Sequence, residues 1–355
     1  MFVPFLRLRC GALFVVALML NAASAIPRLA WASSDSQIHG AMVDLGKRLF
    51  FEKRLSRDNS ISCASCHMPD SAFADHNATA IGIVRKSGTR NAPSLVTAAF
   101  EQTLFWDGRR PSLEAQVLDP IVNANEMGLD SISEAIQRVR EAPAYAGALK
   151  SAFGNDHVDE TRLRTALATF VRSLAPTRTS YERFKRGSSE AFSASAQRGL
   201  RLFDGKAGCS SCHSMHDQPA RFSDGLFHHG AVSLSSEDTA RLPELVSQTI
   251  SVADDEIGNV IAQNRHIAAL GRFVVTHNPK DIGAFRTPSL LNVALTAPYM
   301  HDGSVATLED AVNIEIYYRS LSTGKALDLT TSDRRDIVEF LMSLTSDMWV
   351  DSNRP

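Results

Sequence analysis

Cys63-Ala-Ser-Cys-His67 recurs, with one substitution, as Cys209-Ser-Ser-Cys-His213. Cys-x-x-Cys-His is the attachment signature of a c-type haem. Two thiols near one helical turn apart reach the two vinyl groups of one porphyrin, and the adjacent histidine then ligates the iron. A redox disulfide or half a zinc site also uses Cys-x-x-Cys. Zinc would want the two pairs close together, however, and neither alternative needs a histidine directly after both. Two motifs therefore imply two covalent haems.

Around these motifs lies an ordinary globular composition. The chain has 355 residues, 44% of them hydrophobic, and a formal net charge of −2, enough for two domains and offering no basic surface to nucleic acid. At the N-terminus, Arg7 and Arg9 precede an apolar run from Gly11 to Leu20 and the small residues Ala23-Ser24-Ala25. This pattern reads as a signal peptide over residues 1–32, cleaved after Ala25 or after Ala32. The run is too short to span a membrane comfortably, so no stable span is expected after processing; an uncleaved anchor is the alternative. Cleavage also removes Cys10, leaving four of the 5 cysteines, all within the two motifs. Export and covalent haem both point to the periplasm.

Periodicity predicts the scaffold. Met42, Leu45, Leu49 and Phe50 fall at helical spacing ahead of the first motif. The stretch Gly46-Lys-Arg-Leu-Phe50 is echoed before the second motif by Gly199-Leu-Arg-Leu-Phe203. Each unit closes with an amphipathic stripe: Leu163, Leu167, Phe170, Val171 and Leu174, then Ile337, Val338, Phe340, Leu341 and Leu344. Thr330 and Asp333 form a predicted capping box for the latter. The polar stretch Pro176 to Glu190 reads as a linker, and strand signals are weak throughout. We expect a mainly α protein of two cytochrome c-like domains, 33–180 and 181–355, each with one covalent haem, long loops and little sheet. Ala231 to Gly271 is polar and aperiodic apart from a possible helix near Ile257 to Ile261; it reads as an insertion over a haem edge or a partner face, or as a solvated loop.

The motifs stand 146 residues apart (213 minus 67) among Arg90-Asn-Ala-Pro-Ser-Leu95, Phe105-Trp-Asp-Gly-Arg109, Glu126-Met-Gly128, Phe285-Arg-Thr-Pro-Ser-Leu290 and Ala297-Pro-Tyr-Met-His-Asp-Gly303. Together they resemble the bacterial di-haem cytochrome c peroxidase and MauG superfamily over about Leu45 to Leu344. The resemblance implies an N-terminal peroxide-binding haem with His67 as proximal ligand and a C-terminal electron-transfer haem with His213. It implies Trp106 between the haems, Gln116 and Glu126 on the distal face, and a calcium ion held by Asn91, Thr296 and Pro298. A carboxylate in a dry pocket suits proton transfer across an O–O bond, and Gln116 suits holding peroxide or water. Oxygen donors suit calcium.

Two departures set this chain apart. Peroxidases that need reductive activation carry a histidine where Ile83 stands, which cannot ligate iron; His76, seven residues earlier, is a weak substitute for it. The first haem is thus expected to be open to peroxide at rest. The far ligand of the second haem, Met or Tyr in relatives, is expected fourteen residues after His301, at Glu315; a small register change makes it Tyr318, one turn along the same face, with Glu315 as its partner. Both departures resemble MauG, which shares two oxidising equivalents between its haems and oxidises aromatic residues of a partner protein. The di-haem MbnH enzymes, which oxidise a partner's tryptophan, share these motifs. MauG's surface tryptophan before the second motif is Ala207 here, leaving Trp349 as a weak candidate for electron exit. The expected substrates are hydrogen peroxide and a periplasmic protein, tryptophan foremost. The alternative is a peroxide-detoxifying cytochrome c peroxidase fed by a small electron-donor protein; a plain electron carrier would have no use for Gln116 or Glu126.

Overall fold

A computed structural model describes residues 27–175, 178–188, 190, 192–216 and 220–350. The cleavage point after Ala25 lies outside them, and Ala32 falls in the helix Pro27–Phe50. Among the described residues no helix is long and apolar enough to cross a membrane. The fold is mostly helical with little sheet, as the weak strand signals implied. Its one named sheet pairs β1 (Phe227–His229) antiparallel with β2 (Ala284–Arg286), Phe227 opposite Arg286.

Two helix crossings build the frame. The leading helix Pro27–Phe50 packs on Glu160–Ser173, and Ala194–Asp204 packs on Thr331–Met342. Both crossings are made at the glycine of the echoed stretch. A Cβ on Gly46 would lie 2.0 Å from the Ala166 carbonyl oxygen and 2.7 Å from Phe170 Cβ; on Gly199 it would lie 1.8 Å from the Asp336 carbonyl oxygen and 2.9 Å from Phe340 Cβ. The repeat thus records a steric need, since only glycine lets two backbones approach this closely.

The sequence also fixes where the helices start. Asp159 accepts the Arg162 N–H, Ser193 the Ala196 N–H, and Thr330 with Asp333 closes the expected capping box. The predicted stripes are buried, Leu163, Leu167, Ile337 and Phe340 at 1% exposure or less. They feed two apolar clusters, one spanning Leu45 to Leu174 and one Tyr181 to Leu344.

Two stretches read as loose are ordered. Within the expected linker, Ser180–Lys185 is a helix with a Thr179–Glu182 capping box, Tyr181 enters the second cluster, and Arg183 pairs with Asp347. Only Pro176, Thr177 and Ser189 of that linker lie outside the described residues. The segment 231–271 folds into helices Ser236–Ala240, Leu242–Ile250, Ile257–Gln263 and Arg265–Ala268 around a third cluster of Leu245, Ile257, Ile261, Ile267, Leu270 and Phe273. Helices of at most nine residues are too short to display a period, which explains why this core escaped sequence reading.

The glycine crossings make a direct prediction. Gly46→Ala and Gly199→Ala should each cost about 1–3 kcal/mol through overpacking, read as a lowered melting temperature of the holoprotein. Gly40→Ala, in the same helix as Gly46 with nothing within 4 Å, should be neutral or stabilising; equal melting shifts at Gly40 and Gly46 would refute the steric account.

Candidate haem sites

Each attachment motif is one tight 3-10 turn. Cys66 and His67 N–H both donate to the Cys63 carbonyl (3.2 and 2.9 Å), and Cys212 and His213 N–H to that of Cys209 (3.3 and 3.0 Å). Two thiols and an imidazole thus hang from a single turn in both places. His67 Nδ1 lies 3.0 Å from the Phe73 carbonyl and His213 Nδ1 3.0 Å from that of Phe222. A carbonyl only accepts, so Nδ1 carries the proton and Nε2 keeps its lone pair for a metal. Burial holds both imidazoles below the usual histidine range, outweighing those carbonyl bonds, so they stay neutral as ligation requires. Burial likewise pushes the Cys63 and Cys66 thiols up to about 12 and Cys209 to about 11. The donor sets fit c-type haem.

The first site opens on a cleft of about 1480 Å³, open mouth included. His67 and both cysteines line it together with Gln116, Glu126 and Trp106, and His67 is the one histidine among the lining residues. Phe50, Leu167 and Val171 supply apolar wall from the first helix crossing. Gln116 ends a short helix, Leu113–Gln116, started by the Ser112 cap. Burial pushes the Glu126 carboxyl up to about 7, with Arg109 opposing and Asp119 adding to the rise.

Ile83 does not line the cleft. It is 3% exposed, donates its N–H to the Glu126 carbonyl at 2.9 Å and lies where a Gly128 Cβ would meet its side chain. His76 stays on the surface, 54% exposed, beside Ser71 and Asp70.

Trp106 sits where the halves join. Its Nε1–H donates to the Asn91 carbonyl at 2.9 Å, Asn91 N–H donates to the His301 carbonyl at 2.8 Å, and the Trp106 carbonyl accepts the Arg286 N–H at 2.9 Å. Around it, Arg286 pairs with Glu101 at 2.6 Å, and the wholly buried Asp107 meets Arg90 at 2.5 Å and Arg109 at 2.8 Å. Burial raises the Asp107 carboxyl, but Arg109 and Arg90 together hold it below its usual value. Sequence reasoning missed this charge cluster, and it gave no role to His301, which is 8% exposed and stacked at 3.7 Å on Phe285.

At the expected calcium position, the Asn91 amide donates to the Asn77 and Ala78 carbonyls (3.3 Å each), turning its Oδ1 the other way. The Thr296 hydroxyl donates to the Val293 carbonyl at 3.2 Å, and Pro298 follows a cis peptide bond.

Beside the second motif runs the helix Leu308–Thr323. Its Arg319 reaches Ser211 Oγ at 3.3 Å. Glu315 Oε1 accepts the Ala231 N–H at 3.3 Å, and burial raises its carboxyl. Burial, then Glu315, raises the Tyr318 phenol, whereas Tyr317 points outward at 64% exposure. Ala207 is buried in the second cluster, and the Trp349 side chain lies outside the described residues.

Residues 40–190 match the family model for di-haem cytochrome c peroxidase. A cytochrome-c peroxidase of Denitromonas iodatirespirans is 35% identical over 88% of this chain and 83% of its own. The chain belongs to the di-haem cytochrome c peroxidase and MauG family. The methylamine utilization protein MauG of Methylorubrum extorquens is 33% identical over 86% of this chain and 78% of its own. A solved MauG-like protein associated with microbial copper homeostasis superposes with a TM-score of 0.70 at 29% identity, covering 88% of this chain and 91% of its own. The family implies two c-type haems, and the chain is an oxidoreductase that uses peroxide.

Glu126 yields a pH prediction. A carboxylate must be charged to accept a proton from peroxide, so the reaction should slow as pH falls through about 7. Glu126→Gln should remove this limb and slow peroxide consumption by about 100-fold or more, measured by stopped-flow absorbance. An unchanged pH profile would take Glu126 out of the mechanism.

Proposed function

We propose that this protein uses hydrogen peroxide to remove electrons, over a distance, from an aromatic side chain of a partner protein, tryptophan foremost. We assign the peroxide site to the unit 33–180 and the electron-transfer site to the unit 181–355, both acting in the periplasm after loss of the signal segment. The observation that carries the reading is the first cleft, where Gln116 and Glu126 face an open space whose one lining histidine is His67. When bound through Cys63, Cys66 and His67 and through Cys209, Cys212 and His213, the two haems supply the iron that meets peroxide and a store for its oxidising power.

The chain's own residues handle the protons. Glu126 would take the proton from one peroxide oxygen and return it to the other as the O–O bond breaks. Gln116 holds peroxide in place by hydrogen bonding. Two electrons and two further protons complete the conversion of H2O2 to two waters, the electrons coming from the partner. Trp106, tied through Asn91 to His301 of the second unit, is the relay between the two sites.

At the second site we assign the metal to Tyr318 or Glu315, Tyr318 first with Glu315 as its partner; the Glu315 carboxylate, whose charge reaches Cys209, accepts the Ala231 N–H with one oxygen and keeps lone pairs to spare. An oxygen ligand there favours the oxidised metal, where a thioether would favour the reduced one. We also assign a calcium ion to Asn91 Oδ1 with the backbone of Thr296 and Pro298.

A peroxide-detoxifying enzyme fed by a small electron-donor protein is the second reading, favoured by the relatives called cytochrome-c peroxidases. One experiment separates the two. Peroxide added in equal amount to the fully oxidised protein, without reductant, should react at once and leave a long-lived near-infrared and Mössbauer signature; no reaction before half-reduction would support the detoxifying enzyme. For calcium, chelation with EGTA should lower the melting temperature, calcium should restore it, and Asn91→Ala should abolish the difference. An EGTA-insensitive parent would remove the ion.

A further inference from the structure

The insertion 231–271 is pinned to the loop that carries Glu126. Asn125 Nδ2 donates to the Ala262 carbonyl at 2.8 Å, Asn123 Nδ2 to the Gly258 carbonyl at 3.4 Å, and the Ala124 N–H to Asn259 Oδ1 at 3.3 Å. Three successive residues just ahead of Glu126 thus spend polar groups on one helix, Ile257–Gln263. That helix also places Gly258, Ile261 and Ala262 in the cleft wall, while Ile257 and Ile261 belong to the insertion's own core.

The loop is gripped from its other side as well. A Cβ on Gly82 would lie 1.9 Å from the Asn125 carbonyl oxygen, and Ile83 N–H donates to the Glu126 carbonyl. Thr89 Oγ1 donates to the Ile261 carbonyl at 2.7 Å and Arg90 Nη2 to that of Ala268 at 2.7 Å. The insertion is therefore fastened to the first unit at both ends of the contact.

We propose that Asn125 and Asn259 are positioning residues for the peroxide reaction, clasping the insertion of the second unit onto the first so that Glu126 is held in place and kept from water. The proposal rests on the acid–base reading of Glu126. Each such hydrogen bond contributes only modestly to net stability, so its loss opens the loop locally without unfolding the protein. Water then reaches the carboxyl, and the burial that raises its pKa is relieved. The charged or titratable groups facing Glu126 are Arg109, Asp119, Cys63 and Cys66. From the insertion, Asp255 is directed to Arg110 and Glu256 to Asn259, both at the exposed start of the helix, so the wall itself contributes backbone and apolar surface.

The test uses the holoprotein with both haems attached and a cycle of variants: Asn125→Ala plus Asn259→Ala, Glu126→Gln, and all three together. The asparagine pair should speed amide hydrogen exchange across 123–128, slow the peroxide reaction about tenfold in line with the cost of misplacing a catalytic group, and move its acid limb to lower pH. In the Glu126→Gln background the same pair should still speed exchange but slow the reaction no further. Faster exchange with an unchanged rate and acid limb, or an equal rate loss in both backgrounds, would overturn the clasp as a positioning device. Failure of Glu126→Gln alone to slow the reaction would instead sink the acid–base reading, and the proposal with it.

Discussion

Two helix crossings, each made at a glycine with no room for a Cβ, carry the rest of this structure. Where Gly46 meets Ala166 and Gly199 meets Asp336, the crossing brings Phe170 and Phe340 onto the facing backbone. It also aligns the end of each leading helix with the attachment turn that follows. From the first crossing, Phe50, Leu167 and Val171 reach the cleft wall. The porphyrin space is therefore set by backbone approach, and side chains only line it. The second crossing adds a buried carboxylate, Asp336, whose two oxygens take both nitrogens of an Arg198 fork.

Between the units the chain relies on charge more than on apolar surface. Arg286 and Glu101 face each other across the junction at 7% and 8% side-chain exposure, and within the first unit Asp107 answers two guanidinium groups, of which Arg90 also reaches the Ala268 carbonyl of the second. Breaking such a buried group by removing one partner costs about 3–5 kcal/mol, so these contacts fix the junction in one arrangement. Trp106 lies inside that arrangement, with both its indole and its carbonyl committed.

Much of this was legible in the chain, for physical reasons that differ by region. Covalent attachment fixes the spacing of Cys63, Cys66 and His67, so that reading needed no fold. The repeat at Gly46 and Gly199 was visible as a pattern, but its cause, a missing Cβ at a crossing, appears only when Ala166 and Asp336 are seen opposite. Capping at Thr330 is local and was readable from two residues. The insertion was legible only in part: the helix near Ile257 to Ile261 is present, while the core, built from short helices and from Leu245 and Phe273 in separate segments, left no period. Ile83 was read rightly as no ligand, yet its burial beneath the Glu126 loop is tertiary and left no local signal. Glu315 and Tyr318 lie one turn apart on one helix, so sequence spacing leaves both as candidates.

One side of the first cleft is closed by Gly258, Ile261 and Ala262 of the second unit, far along the chain from Cys63, Cys66 and His67. The first cleft is therefore complete only once the second unit has folded against the first. A chain truncated before the insertion would keep its first attachment motif but leave that side of the cleft uncovered.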